Sequence, residues 1–381
     1  MKYLVITTSL LMLMISTSVS SPGREQSTGK TREPVDTVGY AVTPSQTAAV
    51  MNLCDSIEKA RCLKNERAHP VMSGGELIAA ICPHDDYLYA APVYFHVMRE
   101  ITAPVILMIG VSHHARHKGI EGRLIFDDFK SWKGPYGKVR VSSLRDDIIE
   151  ALPEEIVMVD GDIHAKEHSL EAFLPFLQHS EFSDRNKALE RRDYSFPRII
   201  PILVTRFKGE SQGEAAGRLA SVLRKEMKER DWILGKDLQV LISADCVHYG
   251  DKKWGGRNYA PFGTDAKGYE KALKQEMKII DSSLTGVIDD GKIDRFRSLV
   301  ERDDPEWPYK IPWCGVYSIP FGLSAARRLC ELAGREAPEG FLLKYQTSLE
   351  PGKISPEAEG LGVTNINTLH HWVGYAAVGY W

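Results

Sequence analysis

From residue 76 onward, short wholly apolar runs alternate with longer stretches in which apolar residues recur every three or four positions. ELIAAIC (76–82), PVILMIGVS (104–112), RIIPILVTRF (198–207) and LQVLIS (238–243) are continuous apolar runs, as suits strands covered on both faces. PVYFHVMREI (92–101) puts Val93, Val97 and Ile101 on one helix face, and GEAAGRLASVLRKEMKER is an amphipathic helix. EHSLEAFLPFLQH (167–179) spaces Leu170, Phe173, Leu174 and Leu177 as a helix, with Pro175 disturbing it. TAAVMNL predicts a helix from residue 46, with Ser45 as its N-cap. FLLKYQT (341–347) and VGYAAVGYW (373–381) read as late strands. The pattern predicts one three-layer α/β/α domain over 46–381, built around a largely parallel or mixed central sheet.

The first 45 residues break this pattern. Residues 4–15 form an apolar run after Lys2, and Ser18 and Ser20 follow as small residues. Residues 1–20 therefore read as a signal peptide, and the protein is expected to be exported to a periplasmic or extracellular space. The run is short for a membrane span of about 20 residues, so no stable span is expected after cleavage. Residues 21–45 read as a polar leader without periodicity. The stretches 181–197 and 250–263 read as an exposed excursion and a long Gly-rich loop.

Charge removes one class of function. The chain has 48 Lys+Arg against 51 Asp+Glu, a net charge of −3, so a nucleic-acid partner is not expected. The 6 cysteines are irregular and form no CxxC pair, which excludes a zinc ribbon. Cys54 and Cys62 share a predicted helix, about 12 Å apart at its rise per residue and too far to bridge. Few disulfides or none are expected.

Three predicted strands end in chemically capable residues. The first runs into Pro83-His84-Asp85-Asp86, the second into Ser112-His113-His114, and the fourth into Asp245-Cys246-Val247-His248. If these strands are parallel neighbours, their carboxyl ends meet at one crevice. Each ending alone also suits a capping or hydrogen-bonding role. Glu167 and His168 sit at the N-terminal edge of a predicted helix, where the dipole favours a carboxylate and a neutral imidazole. They are equally well read as helix-start residues. Cys314, in Trp313-Cys314-Gly315, reads on its own as a small buried hydrophobe.

Taken in order, PHDDYLYA, GVSHH, EHSLEAFLPFLQ, SADCVHYG and WCG resemble the MEMO family, whose bacterial and archaeal members are called AmmeMemoRadiSam system protein B. The resemblance covers roughly residues 76–381. It implies a fold similar to class III extradiol dioxygenases and a mononuclear metal site on His84, His113 and Cys314. It also implies nearby roles for Glu167, His168, Asp245 and His248, which orient ligands or move protons. Two His and one Cys suit iron or copper, with zinc possible. The function implied is metal-dependent redox chemistry on a small molecule. A zinc-dependent hydrolase and a non-catalytic binding protein are the alternatives, and no protein partner is identified. His114 is expected to point away from the cleft. One departure stands out: where the family has PHAGY, this chain has Pro83-His84-Asp85-Asp86-Tyr87. The two added carboxylates would serve as a ligand, as acceptors or as a cation site.

Overall fold

A computed structural model describes residues 29–63, 75–185, 196–208, 211–253, 258–304, 306–350 and 360–381. The expected signal peptide, the start of the leader, most of the 181–197 excursion and residues 254–257 of the Gly-rich loop lie outside the described residues.

In chain order the elements are β1 (Thr31–Arg32), α1 (Pro44–Leu63), β2 (Ala79–Cys82), α2 (Tyr87–Met98), β3 (Val105–Val111), β4 (Leu124–Phe126), β5 (Ser131–Gly134), β6 (Gly137–Arg140), α3 (Leu144–Ala151), β7 (Val157–Val159) and α4 (Gly161–His164). There follow α5 (Leu174–Arg185), β8 (Arg198–Val204), α6 (Ser211–Glu229), β9 (Leu238–Ser243), β10 (His248–Gly250), α7 (Ala266–Ser283), β11 (Gly286–Val287), α8 (Asp290–Val300), α9 (Ser318–Leu332), β12 (Glu339–Thr347) and β13 (His371–Tyr380). Among the described residues the main sheet runs β11-β12-β13-β2-β9-β3-β8-β4-β7, with β10 paired to β13. A small second sheet has the order β1-β5-β6.

The main sheet is mixed. Its centre, β2, β9, β3 and β8, is parallel, and β13 and β4 flank it antiparallel. The four apolar runs of the sequence are these four central strands. Alternate side chains enter opposite faces, because successive Cβ atoms of a strand point to opposite sides. Val105, Leu107 and Ile109 join one apolar cluster, while Ile106 and Met108 join the other. The first cluster takes residues of α6, α7, α8 and α9, such as Leu219, Ile280, Phe296 and Leu323. The second takes Val50, Val93, Val97 and Phe176 from α1, α2 and α5. Two covered faces make the strands apolar throughout, which is why they read as runs.

Two helix starts differ from expectation. α1 is capped by Thr43, not Ser45: the Gln46 N–H donates to Thr43 Oγ1 at 3.3 Å, and the Thr43 N–H donates back to Gln46 Oε1 at 3.1 Å. Thr43-Pro44-Ser45-Gln46 is thus a capping box with proline in the first helical position. The helix expected from residue 167 begins at Leu174, after a 3-10 turn over Glu171–Phe173. Pro175 does not disturb it but lies in its first turn, where a missing N–H costs nothing. Glu167 and His168 therefore precede the helix, and His113 sets the charge state of Glu167 while burial dominates that of His168.

The described part of the leader is built into the fold. Arg32 is buried; its Nε donates to His164 O at 2.8 Å and its Nη1 to Glu171 Oε2 at 2.6 Å. Glu171 also accepts the Val35 and Asp36 N–H groups. The Tyr40 hydroxyl donates to the His84 carbonyl. The cysteines described, Cys54, Cys82, Cys246, Cys314 and Cys330, are all free thiols. No helix among the described residues is long and apolar enough to cross a membrane.

Candidate metal centre

Strands β2, β9 and β3 are adjacent and parallel, so their carboxyl ends lie side by side. His84 leaves β2, Asp245 leaves β9 and His113 leaves β3. Cys314 opens a 3-10 turn before α9. Gly315 lets that turn reach the strand ends. A Cβ on Gly315 would lie 2.4 Å from the Ala244 Cβ, closer than any real contact. Gly315→Ala is expected to displace the Cys314 turn and cost about 1–3 kcal/mol. A denaturant midpoint within error of the native protein's would contradict this.

The donor atoms of His84, His113 and Cys314 all lie within 4.8 Å of one another. The same holds for His113, Glu167 and His168, and for Asp245, His248 and Cys314. All seven residues predicted from sequence are therefore brought to one place. His114 is not among them: its Nε2 lies 3.0 Å from Lys166 O, and it does not line the cleft.

Hydrogen bonding fixes which imidazole nitrogen is free. Ser243 Oγ spends its proton on Ser169 O at 2.6 Å, so it accepts from His84 Nδ1 at 2.8 Å. That leaves His84 Nε2 as the lone-pair nitrogen. Burial, with the neighbouring His113 next, holds the His84 pKa well below the usual value, so the ring stays neutral. His113 Nδ1 lies 2.8 Å from Glu167 Oε1, and the His113 backbone N–H donates to Glu167 Oε2 at 2.8 Å. Glu167 thus occupies Nδ1, and Nε2 is the His113 nitrogen that faces Cys314, open to a metal once its proton leaves. Burial works to raise the Glu167 carboxyl, but the charge and hydrogen bond of His113 outweigh it and hold it well below the carboxylate range. Burial likewise works against charge on His113, and Glu167 together with Cys314 overcomes it.

Distances separate ligand from neighbour. Bonds of 2.0–2.3 Å in a tetrahedral site put a nitrogen and a sulfur about 3.6 Å apart. Cys314 Sγ lies 3.7 Å from His113 Nε2, matching such an edge. It lies 3.0 Å from His248 Nε2, a hydrogen-bond distance. Burial pushes the His248 pKa down to about 3, so that ring is neutral. His168 stacks on His113 with centroids 4.8 Å apart and planes at 10°. Burial, then the charge of His113, lowers its pKa to about 4. Asp245 Oδ1 accepts the His84 N–H at 2.8 Å, and Oδ2 lies 3.3 Å from His84 Nε2. Burial and then Asp85 push the Asp245 carboxyl well above its usual range.

Asp85 and Asp86, which replace the family's Ala-Gly, act as acceptors. The Tyr375 hydroxyl donates to Asp85 Oδ2 at 2.6 Å, and the Thr364 N–H donates to Asp86 Oδ2 at 2.6 Å. Neither joins a metal-capable group among the described residues. Burial and the charge of Asp85 raise the Asp86 carboxyl to about 7.

The centre opens into a cleft of about 1050 Å³. Val35, Val38, Trp307, Pro308 and Tyr309 give it apolar and aromatic walls, and Arg206 and Tyr317 line it as well. The sequence reading missed this wall, and it missed Ser243, Tyr40 and Arg32. Ser243 alone left a trace, as a hydroxyl that closes the apolar strand β9.

Comparison with known proteins identifies the family. The sequence model of Memo-like proteins matches residues 51–355. A MEMO1 family protein of Ignicoccus hospitalis is 30% identical over 225 residues, 55% of this chain and 69% of the relative. One from Methanopyrus kandleri is 25% identical over 308 residues, covering 79% of this chain and 82% of its own length. One from Pyrococcus abyssi is 26% identical over 291 residues, covering 75% and 85%. The match spans well over half of the sequence, and the chain belongs to the Memo-like protein family.

Proposed function

We propose that His84, His113 and Cys314 hold one transition-metal ion and that the protein is an exported, metal-dependent redox enzyme acting on a small molecule. One observation carries the reading: the ligand atoms of His84, His113 and Cys314 lie within 4.8 Å of one another in an open cleft. The donor set fits iron or copper, and also zinc, in preference to magnesium or calcium. When bound, such a metal would supply electron transfer and polarise a coordinated oxygen.

The chain's own residues supply the rest. Ser243 and Glu167 hold the two imidazoles with Nε2 facing the cleft. His248 shares a hydrogen with the Cys314 sulfur. Asp245, whose carboxyl burial pushes well above its usual range, exchanges a proton beside His84, with Oδ2 3.3 Å from His84 Nε2. His168, neutral and half-buried on the His113 ring, accepts a hydrogen bond from a substrate hydroxyl. Trp307, Tyr309 and the leader residues Val35 and Val38 exclude water from the substrate body.

The test is metal analysis of the purified protein with oxygen-consumption assays across candidate small molecules. Stoichiometric iron or copper and metal-dependent oxygen uptake are expected. Failure to bind any transition metal at micromolar concentration would sink the reading. Turnover that persists anaerobically with zinc would point instead to hydrolysis, with His168 or Asp245 activating water. Export is tested by sequencing the N-terminus of the mature protein, which is expected to begin near residue 21.

A further inference from the structure

We propose that Glu276, on α7, is a positioning residue that holds the His248 and Cys314 segments in register for metal binding. This rests on the metal reading above. Glu276 is buried, and its two oxygens face two different chain segments. Oε2 accepts the Val247 N–H at 3.0 Å, and Oε1 accepts the Trp313 Nε1–H at 2.8 Å. Val247 immediately precedes His248, and Trp313 immediately precedes Cys314. One carboxyl group thus ties together the residues next to two of the side chains at the centre.

The surroundings reinforce the clamp. Val247 and Trp313 form an antiparallel bridge, and the His248 N–H donates to Pro312 O at 2.9 Å. The backbone of β13 closes over the group: a Cβ on Gly374 would lie 3.1 Å from Glu276 Oε2. Trp313 is itself buried and packs edge-on against Phe296 with ring centroids 5.4 Å apart.

No ion pair reaches Glu276 among the described residues. A buried carboxyl without a counter-charge is a costly way to fill space, and an apolar side chain of similar volume would cost less. What it supplies, and an apolar side chain does not, is two acceptors at a fixed separation. His248 hydrogen-bonds the Cys314 sulfur at 3.0 Å, so slippage of one segment against the other breaks that contact and moves the sulfur from His113. Neither segment has another side-chain acceptor at these two donors among the described residues.

The test compares the full-length native protein with Glu276→Met and Glu276→Gln, using Co(II) alone as the probe. Glu276→Met keeps the volume and removes both acceptors, whereas Glu276→Gln keeps one. Glu276→Met is expected to bind Co(II) about 10–100-fold more weakly and to shift or lose the thiolate-to-Co(II) charge-transfer band. Glu276→Gln is expected to return to within about threefold of native, since the Trp313 N–H keeps its acceptor. A Met variant that matches native in affinity and band overturns the proposal.

A second readout needs no metal. The rate of Cys314 alkylation, followed by peptide mapping, is expected to rise in Glu276→Met and to stay near native in Glu276→Gln. Equal rates in all three proteins also overturn the positioning role. A native protein that binds no Co(II) removes the metal reading itself, and the alkylation rates then still decide whether Glu276 places Cys314.

Discussion

Cys314→Ala is expected to lower transition-metal affinity by more than about 100-fold, a larger loss than replacing any residue that only orients a ligand. Neighbours that hydrogen-bond a ligand are worth about 10–100-fold in metal affinity. Removing a ligand atom exceeds that. Here the sulfur is the one soft donor of the set, and the two carboxylates nearest His84 and His113 already accept hydrogen bonds. Glu167 is held by His113 and the Ser169 N–H, and Asp245 by the His84 N–H.

His248→Ala is the informative partner. His248 Nε2 sits at hydrogen-bond distance from the sulfur, so its loss is expected to fall in the 10–100-fold range and to leave binding measurable. The order of the two losses, measured by competition against a chelator of known affinity, reads directly on the ligand set. If His248→Ala abolishes binding while Cys314→Ala retains it, His113 and Cys314 are not the ligand edge that their 3.7 Å separation indicates.

How far the centre was legible in sequence depends on the kind of signal each residue leaves. His84, His113 and Asp245 follow closely on apolar runs, which are too short for helices and rich in β-branched residues and so read as strands. Their convergence needed only that β2, β9 and β3 be neighbours, which a parallel α/β sheet favours. Cys314 had no such marker. It lies in a turn whose approach depends on a missing Cβ at Gly315, and only resemblance to a family selected it. Glu167 and His168 were found, but for a reason the structure does not keep. The apolar spacing from Leu170 to Leu177 runs through a 3-10 turn into α5, so a helix dipole was assigned to residues that precede the helix. Glu167 is held ionised by His113 instead. Residues such as Glu276, Tyr40 and Arg32 act through single contacts with chain segments far away in sequence. No period or spacing can encode a contact of that kind.

Arg32→Met is expected to destabilise the protein by about 3–5 kcal/mol, although Arg32 lies in a stretch that reads as a polar leader. The guanidinium is buried, and all three of its nitrogens donate. It pairs with Glu171, donates to the carbonyls of His164 and Glu167, and sits 4.3 Å above the Trp132 ring. Removing it strands the Glu171 carboxylate away from water with only the Val35 and Asp36 N–H groups as partners. That uncompensated charge, and not the lost attraction, dominates the cost. Arg32→Met combined with Glu171→Gln is therefore expected to recover a large part of the loss, because the neutral amide still accepts a backbone N–H. The four proteins form a double-mutant cycle in chemical denaturation. The effect also reaches the centre. Arg32 Nη2 holds the carbonyl of Glu167, whose side chain orients His113, so Arg32→Met is expected to weaken metal binding as well as lower the denaturation midpoint. A midpoint unchanged to within about 0.5 kcal/mol, the range of ordinary surface substitutions, would return residues 29–43 to the status of a leader outside the fold.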